Sequence, residues 1–107
     1  MSTKSAPKLK AKAARKNSRE RYVLQLFVAG ISPNSIRAIE NINTICAKYL
    51  KGRHELDIID IYQQPDQALK EEIVAIPVLV RKFPLPEQRL IGDLSNTKTV
   101  LNELGLT

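Results

Sequence analysis

Two apolar runs with an amphipathic stretch between them constrain this chain more than any other feature. The first, YVLQLFVAG (Tyr22–Gly30), is rich in β-branched and aromatic residues and is apolar on both faces except at Gln25. A strand of that composition is covered on both sides and belongs at the centre of a sheet. The second, HELDIIDIY (His54–Tyr62), reads as another strand that ends apolar on both faces. Between them Ile36, Ile39, Ile42, Ile45/Cys46 and Tyr49/Leu50 recur every three or four residues, while Arg37, Glu40, Asn41, Thr44 and Lys48 lie off that stripe. This is an amphipathic helix, ended by Gly52. Ser32 is a natural N-cap for it, and Pro33 suits the first helical position, where a missing N–H costs nothing. Strand, helix and strand in this order imply a right-handed crossover and parallel pairing.

The second half carries weaker signals. PDQALKEEI (Pro65–Ile73) predicts a short polar helix anchored only by Ala68, Leu69 and Ile73. VAIPVLVRKF leads through Ile76-Pro77 into a strand at residues 78–83, PLPEQ turns the chain, and RLIGD (Arg89–Asp93) returns antiparallel. Asp93 or Ser95 caps a last helix carrying Val100, Leu101 and Leu104. The order β-α-β-α-β-β-α joins a parallel βαβ half to a ββα half. That is the thioredoxin-like α/β arrangement, a mixed four-stranded sheet with helices on both faces.

Charge is distributed unevenly. Residues 1–21 hold eight of the 17 Lys and Arg and a single acid, Glu20. The remainder holds nine cations and ten acids. A nearly neutral domain, residues 21–107, therefore follows a basic extension, residues 1–20. The extension has no large apolar residue except Met1 and Leu9, so it is expected to be disordered; its KLKAKAARK stretch favours a transient helix. Its cations give a salt-sensitive, sequence-blind attraction to polyanions. With no interleaved aromatics and no groove-reading motif, nucleic acid is not the expected partner. The start lacks the apolar core of a secretory signal, and no run approaches the roughly 20 apolar residues of a membrane helix. The single Cys46 cannot form an intramolecular disulfide. These features point to a soluble, reduced, cytoplasmic protein.

The turn Gly30–Asn34 is where a thioredoxin holds Cys-x-x-Cys at a helix N-terminus that lowers the thiol pKa. Here it contains no Cys, His or acid. Cys46 sits mid-helix beside the apolar stripe, where a thiolate is disfavoured, and reads as structural. Gly30-Ile31-Ser32 lacks the second glycine of a G-x-S-x-G elbow, because position 34 is Asn34. One His (His54) and one Cys do not make a zinc site. The four glycines at 30, 52, 92 and 105 form no phosphate loop. No catalytic residue, cofactor or metal is expected, which leaves a binding module. A thioredoxin-like oxidoreductase and a polyanion-tethered adaptor are the competing readings.

Four stretches resemble the KaiB family of clock proteins: YVLQLFVAGISPNSIRAIENI, LDIIDIYQQP, VAIPVLV and RLIGDLSNTKTVL. VAGxxPNSxRA followed by IGDLS carries the resemblance, which spans residues 21–101. It implies a non-enzymatic regulatory protein that binds KaiC, a hexameric ATPase and autokinase, and then captures KaiA. It also implies metamorphism. Free members form dimers or tetramers with the order β-α-β-β-α-α-β, and the KaiC-bound monomer has the thioredoxin-like order. The half from about Pro65 onward is the part that refolds. Pro77, Pro84 and Pro86 are switch candidates because X-Pro isomerisation is slow. Gly92 and Asp93 lie in the matching IGDLS motif. Glu103 and Gly105 stand where the family carries Gly-Leu-Asp, a region that influences the fold balance. Arg37 corresponds to the Arg of a KaiA-facing surface, and Arg81 and Arg89 to cations facing an acidic KaiC surface. Glu72 and Asp57 replace lysines that clock KaiBs carry, and KaiA capture is the implied property that these departures touch. The resemblance is compatible with a clock role or with a related timing or stress-response role.

Overall fold

The computed structural model describes residues 20–106. The disorder expected for the basic extension falls on residues outside them, apart from Glu20. Seven elements follow in order: β1 (Tyr22–Val28), α1 (Pro33–Tyr49), β2 (His54–Asp60), α2 (Pro65–Lys70), β3 (Val78–Phe83), β4 (Gln88–Ile91) and α3 (Thr97–Leu104). They form one mixed four-stranded sheet in the order β2-β1-β3-β4. β1 pairs parallel with β2, from Tyr22↔His54 to Val28↔Asp60, and antiparallel with β3, with a register shift between Val23 and Leu24. β3 and β4 pair antiparallel. The expected β-α-β-α-β-β-α order and the central place of β1 are both met. Among the described residues no helix is long and apolar enough to cross a membrane.

Alternation along β1 divides the interior in two. Tyr22, Leu24, Leu26 and Val28 face α1 and α3 and join a cluster of fifteen buried residues, among them Ile42, Ile45, Leu50, Leu79, Val100 and Leu104. Phe27 points the other way, into a cluster of only four buried residues with Ile59, Val78 and Val80. Ile61, Ile73 and Ile76 pack against that smaller cluster from loops, and α2 itself buries no residue. At about 25 cal/mol per Å² of apolar area, stability comes overwhelmingly from the α1/α3 side.

Several local expectations are corrected. The buried face of α1 is Ser35, Ala38, Ile42, Ile45 and Cys46, and Ile36 is exposed. The start of the face is rotated because the Ser35 hydroxyl turns inward to accept the Ala29 N–H at 3.0 Å. β2 is an edge strand with only Ile59 buried, although its sequence ends apolar on both faces. α2 stops at Lys70, and Leu69, expected as an anchor, is exposed. α3 is capped by Asn96, whose side chain accepts the Thr99 N–H at 3.1 Å. Neither expected cap serves: Asp93 is engaged by Arg37 at 3.1 Å and by the Ser95 N–H at 3.1 Å. The strand beginning near Arg89 ends at Ile91, before Gly92 at φ 116°. Ile76-Pro77, Phe83-Pro84 and Leu85-Pro86 are all cis.

The last helix is locked to the first strand. Tyr22 donates its hydroxyl to the Leu104 carbonyl at 2.8 Å, and Arg81 Nη1 donates to the same oxygen at 3.1 Å. Arg81 Nη2 donates to the Pro86 carbonyl at 2.7 Å, so one buried guanidinium ties α3 to the β3–β4 turn. Gly105 then takes the left-handed conformation, φ 79°, and closes a Schellman cap in which the Leu106 N–H bonds to the Leu101 carbonyl. α2 ends in the same motif, with the Ile73 N–H on the Ala68 carbonyl and the Glu72 N–H on the Leu69 carbonyl. There, however, the left-handed residue is Glu72, at φ 56°.

Two stability changes follow. Tyr22→Phe removes one donor from a carbonyl that keeps its second, and the cost is about 1 kcal/mol. It is read as a lower urea midpoint at unchanged m. Glu72→Gly relieves a conformation that costs an L-residue roughly 1–2 kcal/mol, against a loss of up to about 1 kcal/mol in chain entropy. The midpoint is expected to rise, by the equivalent of no more than about 1 kcal/mol.

Candidate functional site

Parallel and antiparallel pairing bring four connections to one end of the sheet. These are the turn after β1, the turn after β2, the segment 71–77 before β3 and the loop after β4. The first is built around Gly30, at φ 58°. A Cβ there would lie 3.4 Å from the Tyr62 ring, an ordinary contact, so it is the conformation that needs glycine. The Asp60 carboxylate joins the first two turns: its Oδ1 accepts the Gly30 N–H at 3.2 Å and the Tyr62 N–H at 2.9 Å. Ser32 caps α1 as expected, accepting the Ser35 N–H, and donates its own hydroxyl to Ser35 Oγ at 2.9 Å. Its oxygen is committed to holding the turn. Cys46 is buried, and desolvation pushes its pKa to about 11, so it stays a thiol at neutral pH. His54 Nδ1 bonds to the Leu50 carbonyl at 2.8 Å.

What this end presents outward is apolar. Ile31 is 86% exposed, Tyr62 74% and Val74 94%. Three large apolar side chains on three loops of one sheet end make a surface suited to a protein partner. Nothing in the local spacing marked them. Tyr62 reads as part of a strand, and Ile31 and Val74 lie outside any periodic stripe. The available signal was an apolar residue placed in a turn.

The residues singled out in the sequence fall into three groups. Arg37 is exposed and reaches Asp93, with its Nη2 on the Asn34 side chain. Asp93 is further fixed through its carbonyl, which accepts from Asn41 at 2.8 Å. Hydrogen bonding from Ser95, then from Arg37, holds its carboxyl below the ordinary range. Arg89, Gly92, Asp93 and Glu103 line a groove of about 410 Å³ between β4 and α3. The Gly92 N–H donates to the Pro77 carbonyl at 3.0 Å. Arg89 also donates to the Glu71 carbonyl at 2.6 Å and joins Lys82, Glu71 and Glu87 in an ion-pair network that clasps the end of α2. Arg81 is different. It is 7% exposed and spends its guanidinium on the Leu104 and Pro86 carbonyls, so in this fold it faces the interior and not a partner. Gly105 lies beside it, and Pro84 precedes the turn that Arg81 holds.

A mixed four-stranded sheet with this order, and a first βα turn free of thiols, define a thioredoxin-like α/β domain whose functional turn is a scaffold. Comparisons place it further. The family model described as "KaiB domain" matches residues 25–106, and the chain belongs to the KaiB family. It is 46% identical over 88 residues to the circadian clock oscillator protein KaiB of Thermosynechococcus vestitus, which covers 82% of each chain. It is 45% identical over 86 residues to the circadian clock protein KaiB3 of Synechocystis sp., covering 80% of this chain and 82% of that one. Among solved structures, the N-terminal domain of Synechococcus elongatus SasA superposes with a TM-score of 0.64 at 24% identity, over 92% of this chain and 96% of that one. The thioredoxin Deadhead of Drosophila melanogaster superposes at 0.66 with 11% identity, over 82% of each. These two show the fold alone.

The lowered Asp93 pKa fixes the sign of an acid dependence. A carboxyl depressed on folding contributes stability that is complete above its unfolded value, about 3.9, and is lost as pH falls through the lower folded value. Urea midpoints measured from pH 7 down to about 2 should fall less steeply in Asp93→Asn than in the parent chain.

Proposed function

We propose that this protein is a non-enzymatic regulatory binding protein of the cytoplasm that docks on a KaiC-type hexameric ATPase and autokinase and modulates its phosphorylation cycle. The cycle serves a circadian clock or a related timing or stress response. The observation that carries the reading is the exposed apolar trio Ile31, Tyr62 and Val74 at one end of the sheet, the first two on turns held in place by Asp60 and Ser35. Family membership and clock-named relatives supply the partner class. The thioredoxin-like state described here is the one that docks. A free-state dimer or tetramer with the second half refolded is its counterpart, with Pro77, Pro84, Pro86, Gly92, Asp93, Glu103 and Gly105 in the refolding half. Arg37 and Arg89, ion-paired with Asp93 and with Glu71 and Glu87 in this state, are the proposed contacts toward KaiA and the ATPase respectively, and Arg81 acts indirectly by holding α3.

The test is titration against a KaiC-type ATPase in each nucleotide and phosphorylation state. Binding is expected in some states and not in others. Val74→Asp, at a position with almost no contact to lose, should weaken it at least about tenfold, or about 1.4 kcal/mol, with an unchanged melting temperature. Absence of binding in every state would sink the proposal.

A further inference from the structure

We propose that the basic segment preceding Glu20 docks within its own chain, over the half of the α2 side of the sheet that no element among the described residues covers. α2 and the segment after it shield that face only around Phe27, Ile59, Val78 and Val80. Nearer the start of β1 the same face presents Val23 and Gln25, with Glu55 and Asp57 beside them on β2 and Phe83 beside Val23 on β3. Glu55, Asp57 and Phe83 are exposed. Gln25 between them is half-buried, its Oε1 sealed from solvent and without a hydrogen bond among the described residues. Of the two carboxylates, Glu55 meets Arg21 at 3.4 Å, and Asp57 meets no cation among the described residues.

The segment supplies what this patch lacks. Residues 1–19 hold seven Lys and Arg and no acid, and KLKAKAARK intersperses cations with Leu9, Ala11, Ala13 and Ala14. It leaves the domain beside the patch, where Arg53 Nη1 donates to the Glu20 carbonyl at 3.1 Å and the Tyr22 N–H to the Arg53 carbonyl at 2.9 Å. Asp57 lies two residues beyond Glu55, about 7 Å along the strand, so about ten residues of the segment reach across the patch. Lysine and arginine stems cover apolar surface while their heads reach carboxylates. They therefore lie over Val23 and Phe83 and pair with Glu55 and Asp57.

The full chain carrying Cys46→Ala and a nitroxide at Ser5→Cys tests this. At low salt the amides of Val23, Gln25, Asp57 and Phe83 should lose intensity. They should recover at about 1 M salt, where screening extends only about 3 Å. E55K/D57K should abolish the loss at low salt. The unsubstituted chain gives a second readout, since its β1 and β2 amide shifts should move with salt and those of E55K/D57K should not. Broadening centred on another surface, no broadening at low salt, or unmoved wild-type shifts would overturn the proposal. So would broadening carried between chains in a mixture of labelled and unlabelled protein, which would assign the site to a second copy.

Discussion

A guanidinium drawn into the interior needs acceptors for its N–H groups, and Arg81 finds them at both terminal nitrogens, while its Nε has no partner among the described residues. Its partners are backbone carbonyls at Leu104 and Pro86, contributed by the end of α3 and by the β3–β4 turn. The Leu104 carbonyl is shared with Tyr22, the first residue of β1. One hydrogen-bonded knot therefore joins the beginning of the domain, its hairpin and its final helix, elements separated by as many as 82 residues. The Arg53 guanidinium lies 5.8 Å above the Tyr22 ring and shields the knot from outside. Removing the cation would leave the Leu104 carbonyl with Tyr22 alone and release the Pro86 carbonyl, so the end of α3 and the β3–β4 turn would lose the group that ties them together.

The two sides of the sheet are held by different physics. On the α1/α3 side, packing alone is ample. On the α2 side a six-residue helix with no buried side chain is retained by ion pairs among Glu71, Lys82, Glu87 and Arg89. Pairs this exposed contribute about 0–1 kcal/mol each and weaken with salt. Non-glycine residues in the left-handed region, Glu72 and Leu94, stand at both ends of the segment that carries β3 and β4. Local stability is consequently lowest around α2, next to the loops that carry the exposed apolar trio.

Sequence reasoning reached the architecture because the first half states it redundantly. Alternation in β1, the Ser32-Pro33 start and the periodicity of α1 all agree, and the pairing order followed from them. It did not reveal that β2 is an edge, because IIDIY ends apolar on both faces and only the sheet order shows where the strand lies. It placed the α1 stripe correctly except at its start, where a buried serine outranked Ile36, an outcome decided by the Ala29 N–H that needed an acceptor. Arg81 looked like a surface cation since its two acceptors come from distant segments and no local pattern announces them. For the candidate site, Arg37, Asp93 and the inert turn were legible as motif positions. The outward apolar residues were not, since a hydrophobic side chain in a turn has the same letter whether it packs or protrudes.

The carboxylate of Asp60 holds the backbones of Gly30 and Tyr62 on one oxygen. The loops that bear Ile31 and Tyr62 consequently form a single stiff epitope. If this end docks as proposed, little backbone freedom at these two turns would remain to be lost, and that share of the usual cost of ordering loops would be absent. A partner then gauges the spacing between the two side chains, and neither position can drift in size without a matching change at the other or on the surface that meets them. Paired substitution at positions 31 and 62 is the evolutionary signature such a rigid epitope would leave.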